Sequence, residues 1–385
     1  MQNSIYGQKS TFSDTDANLH INIEDQIVKY ADWQFPLLKR WNGKVFAKNV
    51  ESHKYEWTER ELRPVSAKVA SATVAADATT FYVDVSGVFN VDDVLMKPSG
   101  EIVIVTAVAG GTLLTVKAWT GTPESMVLGQ TVKRIGVATA QGKKADSMVI
   151  TGVEDLFNYT QIFEDVVELS GTQRYAMVHG DESQAELISR KQKELMEMLQ
   201  LSLLVGARNK DTSTKTSTMG GLKYFIDTYA PANVIDFGGA SSWNTDATVI
   251  DKLETAIQQI ADANGGKPTI YMGYKAMRKF RNLQDDQISA LSRTEKSRGI
   301  GVVSSYLSQL GDLDIVVLRE RAGVMDNLMF LADEEKVGYK AYNKRGWFTE
   351  ELAKDGDAYK WQVLGEYTFK VETPKVFAYI HNLGL

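Results

Sequence analysis

The sequence predicts an α+β protein interrupted by an all-β module. Two stretches, 181–207 and one starting near Asp246, carry apolar residues at helical spacing. Residues 65–136 are rich in Val, Thr, Ala and Gly and carry no helical stripe. Residues 45–63 and the last 25 residues alternate with a two-residue period. With 385 residues the chain exceeds the size at which one core keeps growing, so two or three domains are expected.

Residues 1–20 are polar with few apolar anchors, the composition of an extended or partly disordered arm. From Asn22 to Trp41 the spacing is helical, with Ile23, Ile27 and Tyr30 on one face and Pro36 as an interruption. In VFAKNVESHKYEWTERELR, His53, Tyr55 and Trp57 fall on one face and Lys54, Glu56 and Thr58 on the other, as in a long β-ribbon. Within 65–136, Phe81, Val83 and Val85 alternate, and EIVIVTAV and TLLTVKAW read as strands. Turns are expected at Ser99-Gly100, Gly110-Gly111 and Gly121, so the module reads as a small sandwich or barrel. Such an insert is cheap, since doubling a loop costs only about 0.6 kcal/mol in closure entropy when the insert folds by itself.

The 181–207 helix would be about 40 Å long at 1.5 Å per residue. Asp181 and Gln184 have capping-box spacing, and Ile188, Leu195, Met198, Leu199 and Ser202 form the expected stripe. Glu186 with Arg190 and Lys193 with Glu197 are expected as ion pairs on the wet face. The next helix presents Val249, Leu253, Ala256, Ile257 and Ile260, and Gly265-Gly266 with Pro268 stop it. Strand TIYM, a helix with Ala276, Met277 and Phe280, a polar loop 284–298, and strands LDIVVL and NLMFLA complete an α/β unit. Trp361, Val363, Tyr367, Phe369 and Val371 then alternate, before a Pro374 break and VFAYI.

The chemistry-bearing inventory is thin. The absence of cysteine excludes disulfides, thiolate metal sites and cysteine nucleophiles, and fits folding in a reducing cytoplasm. His20, His53, His179 and His381 are scattered without metal-ligand spacing. Gly265-Gly266-Lys267-Pro268-Thr269 lacks the first glycine and the Lys-Ser/Thr pair of a phosphate loop and follows a helix rather than a strand. Asp14, Asp16 and Asn18 open like a calcium loop, but Leu19 stands where the turn glycine is needed and Asp25 where the glutamate is. Asp333, Glu334 and Glu335 are consecutive and so point apart. No catalytic residue, cofactor or metal is therefore expected. Tyr55 and Trp57 read as a packing row, with a sugar- or base-stacking surface as the rarer alternative. A net charge of −6 argues against binding nucleic acid through phosphates, though not against enclosing it. The first 20 residues lack a signal-peptide apolar region and no run reaches membrane-span length, so a soluble, cytoplasmic chain is expected.

Several segments carry a family likeness. EDQIVKYADWQFPLLKRW and YEWTERELRP, NYTQIFEDVVELSGTQ (158–173), and ELAKDGDAYKWQVLGEYTFKVETPKVFAYIHNL resemble the capsid proteins related to the SU-ten phage major head protein. The matching positions at the end are Leu352, Ala353, Lys354, Gly356, Asp357, Lys360, Gly365, Glu366, Thr368 and Val371. The likeness covers most of 22–62 and 150–385, and is weakest at 211–245 and 284–310.

That resemblance implies the Hong Kong 97 fold of tailed-phage capsid proteins, with an inserted Ig-like or small-barrel domain. It divides the chain into arm and helix (1–42), extended loop (43–63), inserted β-domain (64–137), loop return and lead-in (138–180), peripheral domain (181–245), axial domain (246–325) and returning peripheral strands (326–385). The implied role is a non-enzymatic subunit that self-assembles, as pentamers and hexamers, into an icosahedral head around double-stranded DNA. Scaffold, portal and decoration proteins are implied partners, no membrane is involved, and assembly is expected in the host cytoplasm. Tyr55, Trp57, Lys354, Asp357 and Glu366 are the candidate assembly-interface residues. A tail or baseplate component whose β-module binds a host surface is the alternative, and an enzyme with a carbohydrate-binding module a further one. Deleting Val45–Trp57 is expected to leave a folded subunit that forms no shells.

Overall fold

The computed structural model describes residues 35–60, 62–123, 125–142, 153–172, 184–239, 246–280, 305–354 and 356–384. The arm, the acidic spacing at Asp14–Asn18, the Ile23–Tyr30 face, Asp181, His20, His179 and the 284–298 loop lie outside them. The chain divides into two compact units, Met1–Glu56 with Phe157–Leu385, and Trp57–Leu156.

In chain order the elements are α1 (Pro36–Trp41), β1 (Lys54–Glu59), β2 (Ser66–Lys68), β3 (Thr73–Val74), β4 (Thr80–Tyr82) and β5 (Asp93–Met96). They continue with β6 (Ile102–Ala109), β7 (Leu113–Thr120), β8 (Met126–Val127), β9 (Thr131–Val137), β10 (Glu154–Tyr159) and β11 (Gln161–Ser170). Then come α2 (Gln184–Val205), β12 (Asn209–Asp211), β13 (Thr216–Thr218), α3 (Leu222–Tyr229), β14 (Val234–Asp236), α4 (Asp246–Asp262), β15 (Thr269–Gly273) and α5 (Tyr274–Phe280). The last are β16 (Ser305–Ser308), β17 (Gly311–Leu318), β18 (Leu328–Ala332), β19 (Val337–Ala341), β20 (Phe348–Glu351), β21 (Ala358–Val371) and β22 (Ala378–His381).

The larger unit holds a six-stranded sheet in the order β14-β22-β18-β15-β17-β16. β15 sits at its centre, parallel to β17 and antiparallel to β18, and every one of its residues is buried. The α4 stripe Val249, Leu253, Ala256, Ile257 and Ile260 is buried in the same core as Ala276, Met277 and Phe280 of α5. The stop after α4 is a Schellman motif: Gly265 N–H donates to Ile260 O at 2.8 Å and Asn264 N–H to Ala261 O at 2.9 Å. Asn264, not glycine, takes the left-handed position, with φ 56°. Gly265 is needed for a different reason: a Cβ there would lie 2.4 Å from the Ile260 side chain. β18, the NLMFLA strand of the expected α/β unit, pairs with β15 in this sheet, and β22 pairs with β18 and β14.

A second sheet runs β11-β21-β19, with β20 also paired to β21. Its long strand β21 departs from the expected alternation: Val363 to Val371 are buried without a break, including Glu366, Thr368 and Lys370. α2 packs on β11 and buries Leu195, Leu199 and Leu203, and its 22 described residues rise about 33 Å. One stripe assignment and one wet-face assignment change. Met198 is 53% exposed, while Glu197 is buried and accepts from the Arg321 backbone N–H (2.6 Å) and Nε (2.7 Å) instead of lying on the wet face. The stripe follows i+4 steps from Leu195, which turns Met198 outward.

β1 and β10 form a two-stranded ribbon, shorter than 45–63 suggested. Pro36 opens α1 at its first turn, where a missing N–H costs nothing. Val45 then adopts a left-handed φ of 57°, which ends any extended run, and 45–51 lies against the second sheet. Lys370 Nζ donates to Val45 O, Asn343 N–H to Val50 O, and Val50 is fully buried. Deleting Val45–Trp57 would therefore strip core contacts as well as ribbon, so it does not isolate assembly.

The described residues of the smaller unit form strands and turns, with sheet order β2-β9-β5-β6-β7-β4 and a β3-β8 pair. Its two edges meet: Val69 bridges Val83, Ala70 N–H donates to Tyr82 O (2.8 Å) and Asp84 N–H to Lys68 O (2.9 Å). Phe81, Val83, Leu95, Val105, Leu114 and Val132 fill the interior. Val85, expected to continue the alternation, lies past the strand and is 48% exposed. The turn glycines at 100, 110, 111 and 121 all have positive φ. Lys97 and Glu101 form an ion pair at 2.8 Å with both side chains only 2% exposed.

Candidate functional site

The expected interface residues fall into two groups. On β1, Lys54, Glu56 and Thr58 are exposed, Tyr55 is half-buried and Trp57 is buried, so the two-residue period holds here. Tyr55 packs on Phe46 with ring centres 5.1 Å apart, and burial, aided by the Glu372 charge, pushes its hydroxyl up. Trp57 Nε1–H donates to Glu59 at 3.0 Å. Lys54 pairs with Glu56 and lies 4.1 Å above the Phe157 ring, which Arg208 also approaches at 3.8 Å and Tyr159 meets edge-on at 5.6 Å.

Near the C-terminus, Lys354 and Asp357 are exposed, with Lys354 Nζ 4.3 Å above Tyr359. The Asp357 carbonyl accepts from Gly171 N–H at 2.6 Å, and a side chain at Gly171 would collide with the Asp357 carboxylate. Glu366 is different in kind. It is 6% exposed, accepts from Thr160 Oγ1 at 2.6 Å and pairs with Arg345 at 3.5 Å. Thr160 gives its single hydroxyl proton to Glu366, so the 2.8 Å contact with His53 is an Nδ1–H donated to Thr160. This His53–Thr160–Glu366–Arg345 chain fastens the root of β1 to β21. Trp57 and Glu366 thus act inside the subunit, while Tyr55, Lys354 and Asp357 retain surface.

Two anchoring groups escaped sequence reasoning. Asn158 is fully buried; its Nδ2 donates to Gly220 O (2.9 Å) and Phe369 O (2.8 Å), and its Oδ1 accepts from Gly220 N–H (2.8 Å) and Tyr159 N–H (3.0 Å). Glu334, one of three consecutive acids, accepts from Arg40 Nη1 (2.6 Å) and Tyr271 Oη (2.8 Å), and Trp41 Nε1–H donates to Tyr271 Oη (3.0 Å). Burial pushes the Glu334 carboxyl up, but the Arg40 and Tyr271 hydrogen bonds and the Arg40 charge hold it below its usual range. Burial and the neighbouring Glu334 charge push the Tyr271 hydroxyl well up. Trp41 itself is fully buried, stacked on Phe369 at 5.7 Å, so this network seats α1 against both sheets of its unit. Asn158 opens the family-like segment 158–173 and Glu334 lies in the acidic run, but neither pattern shows which distant partner the side chain meets.

Among the described residues no three His, Cys, Asp or Glu side chains are placed to hold a metal, and no helix is long and apolar enough to cross a membrane.

A family model described as SU10 major capsid protein matches residues 5–384. The chain belongs to the SU10 major capsid protein family. Solved structures agree at the level of fold. A chain from Microbacterium phage Oxtober96 is 14% identical with a TM-score of 0.53, covering 95% of this chain and 96% of that one. A chain in the capsid of a native GTA particle is 7% identical with a TM-score of 0.54, covering 98% and 99%. One from Mycobacterium phage Bobi is 10% identical with a TM-score of 0.52, covering 95% and 96%. No curated protein sequence matches the chain. As an SU10-family major capsid protein it is a structural protein of the virion, and copies of it build an icosahedral head. That sets aside the tail-component and enzyme alternatives as its main role.

Proposed function

We propose that the chain is a Hong Kong 97-type shell subunit of a tailed phage, without catalytic activity, in which a small barrel rather than an Ig-like sandwich interrupts the β1–β10 ribbon. The observation that carries this reading is the two-sheet unit with α2 along β11, joined by that ribbon to a separately packed insert. The fold likeness to a chain of a GTA capsid supports it. The meeting of β2 and β4 supports the barrel. In this reading the ribbon reaches over a neighbouring subunit, with Tyr55, Lys354 and Asp357 at the contacts and Trp57 and Glu366 holding them in place. Strand edges left open invite pairing with another chain, and a closed shell repeats each contact many times, so each one can be weak. The shell encloses double-stranded DNA without reading its sequence, in keeping with the −6 charge. Pentamers and hexamers form in the host cytoplasm, with scaffold, portal and decoration proteins as partners.

The test is negative-stain electron microscopy with light scattering on the chain expressed alone and then with a scaffold. Uniform hollow shells or capsomer rings are expected. Stable monomers in both preparations refute the assembly reading. Lys354→Glu is expected to leave the subunit folded and lower shell yield; undiminished yield removes Lys354 from the interface.

A further inference from the structure

The outer surface of the barrel carries an apolar strip that its own unit leaves uncovered. Register sets Lys117, Ile104 and Val94 in one row across β7, β6 and β5, and Thr120, Ile102, Met96 and Lys133 in the next row, which extends to β9. Val94, Met96, Ile102 and Ile104 are partly exposed and alternate with the buried Leu95, Val103 and Val105. Two irregularities enlarge the strip. Ile102 pairs with Thr120 and Val103 with Ala118, which leaves Trp119 as the extra residue of a bulge; Val94 with Gly136 and Leu95 with Arg134 leave Ile135 likewise. Bulges re-aim side chains, and here Trp119 is 66% and Ile135 51% exposed. Exposed Lys117 and Lys133 stand beside them.

The larger unit carries a face of opposite charge. On β11, Ile162, Glu164, Val166 and Glu168 are exposed and alternate with the buried Phe163 and Val167. Across the sheet, Leu364 lies between Glu164 and Phe348, and Gln362 lies between Val166 and Glu350. Phe348 and Glu350 are exposed too, so three apolar side chains are interleaved with three carboxylates. The one lysine in these rows, Lys360, is 3.6 Å from Glu168.

We propose that the barrel strip, with Trp119 as its anchor, docks on the β11–β20 face of a second copy of this chain, where Lys117 and Lys133 meet Glu164 and Glu350. The inference rests on the shell-building role, which supplies many identical copies at close quarters. Large aromatics carry most contact energy, while charge matching at the rim sets register and partner choice. Two different patches meeting head to tail propagate around a ring instead of closing a pair.

The cysteine-free chain allows a clean test. Trp119→Cys and Val166→Cys are made in separate full-length chains, co-assembled and oxidised, and dimers are read on a non-reducing gel. Lys117→Cys with Glu350→Cys gives a second pair that keeps the apolar strip whole. Dimers in mixed shells, above the level of either variant alone, are expected for both pairs. Shells that form with neither pair linking overturn the contact while leaving the shell reading intact. Failure of the unsubstituted chain to assemble overturns both. Independently, Lys117→Glu with Lys133→Glu is expected to lower shell yield about tenfold through like-charge opposition, with recovery when Glu164→Lys and Glu350→Lys are added. No loss, or loss without recovery, counts against the pairing.

Discussion

Asn158→Ala removes four hydrogen bonds at a fully buried point where β10, the backbone at Gly220 and β21 converge. Each such bond is worth a net of about 1 kcal/mol, so the substitution should cost about 4 kcal/mol. That is a large share of the roughly 5–15 kcal/mol by which domains are stable. Asn158→Asp should cost more, since a carboxylate keeps the acceptor but faces the Gly220 and Phe369 carbonyls that the amide now satisfies. Urea unfolding of unassembled subunits, followed by tryptophan fluorescence, measures both. A loss below about 1 kcal/mol for alanine, or an aspartate variant no worse than the alanine one, would refute the reasoning.

Three further outcomes are expected. Glu334→Gln should destabilise the subunit at pH 7: the folded carboxyl titrates below its ordinary 4.5, so its contribution is present above that value and fades as pH falls through the depressed folded value. The gap between variant and unsubstituted chain should therefore close on acidification below 4.5, and a pH-independent gap in denaturation midpoints would contradict the Arg40–Glu334 account. Lys97→Met alone removes the ion-pair partner of the buried Glu101 and should cost about 3–5 kcal/mol, whereas Lys97→Met with Glu101→Leu should cost less; equal losses in calorimetry would show that the pair contributes through shape alone. Asn264→Ala should cost about 1 kcal/mol in thermal denaturation and Asn264→Gly almost nothing, because only the left-handed φ is at stake; a matching loss for glycine would place the cost in the lost side chain.

What the sequence determined by itself was the local part. The α4 stripe from Val249 to Ile260 and the glycine turns of the insert could be read because their hydrogen bonds close within a few residues, so the pattern that forms them is contiguous. The closing segment around Gly365 and Thr368 was legible as a family likeness without revealing its environment. Tertiary structure alone decided which strands share a sheet. Gln161 opposes Tyr367 and Val234 opposes Tyr379, and no nearby residue signals such pairings. It also decided where polar side chains go. Glu366, Lys370 and Glu197 read as outward-facing positions, yet each is buried beside a partner brought from far along the chain, at Thr160, Val45 and Arg321. A charge can leave water only where such a partner replaces the lost hydration. That replacement belongs to the assembled sheets and helices, and periodicity along the chain carries no record of it.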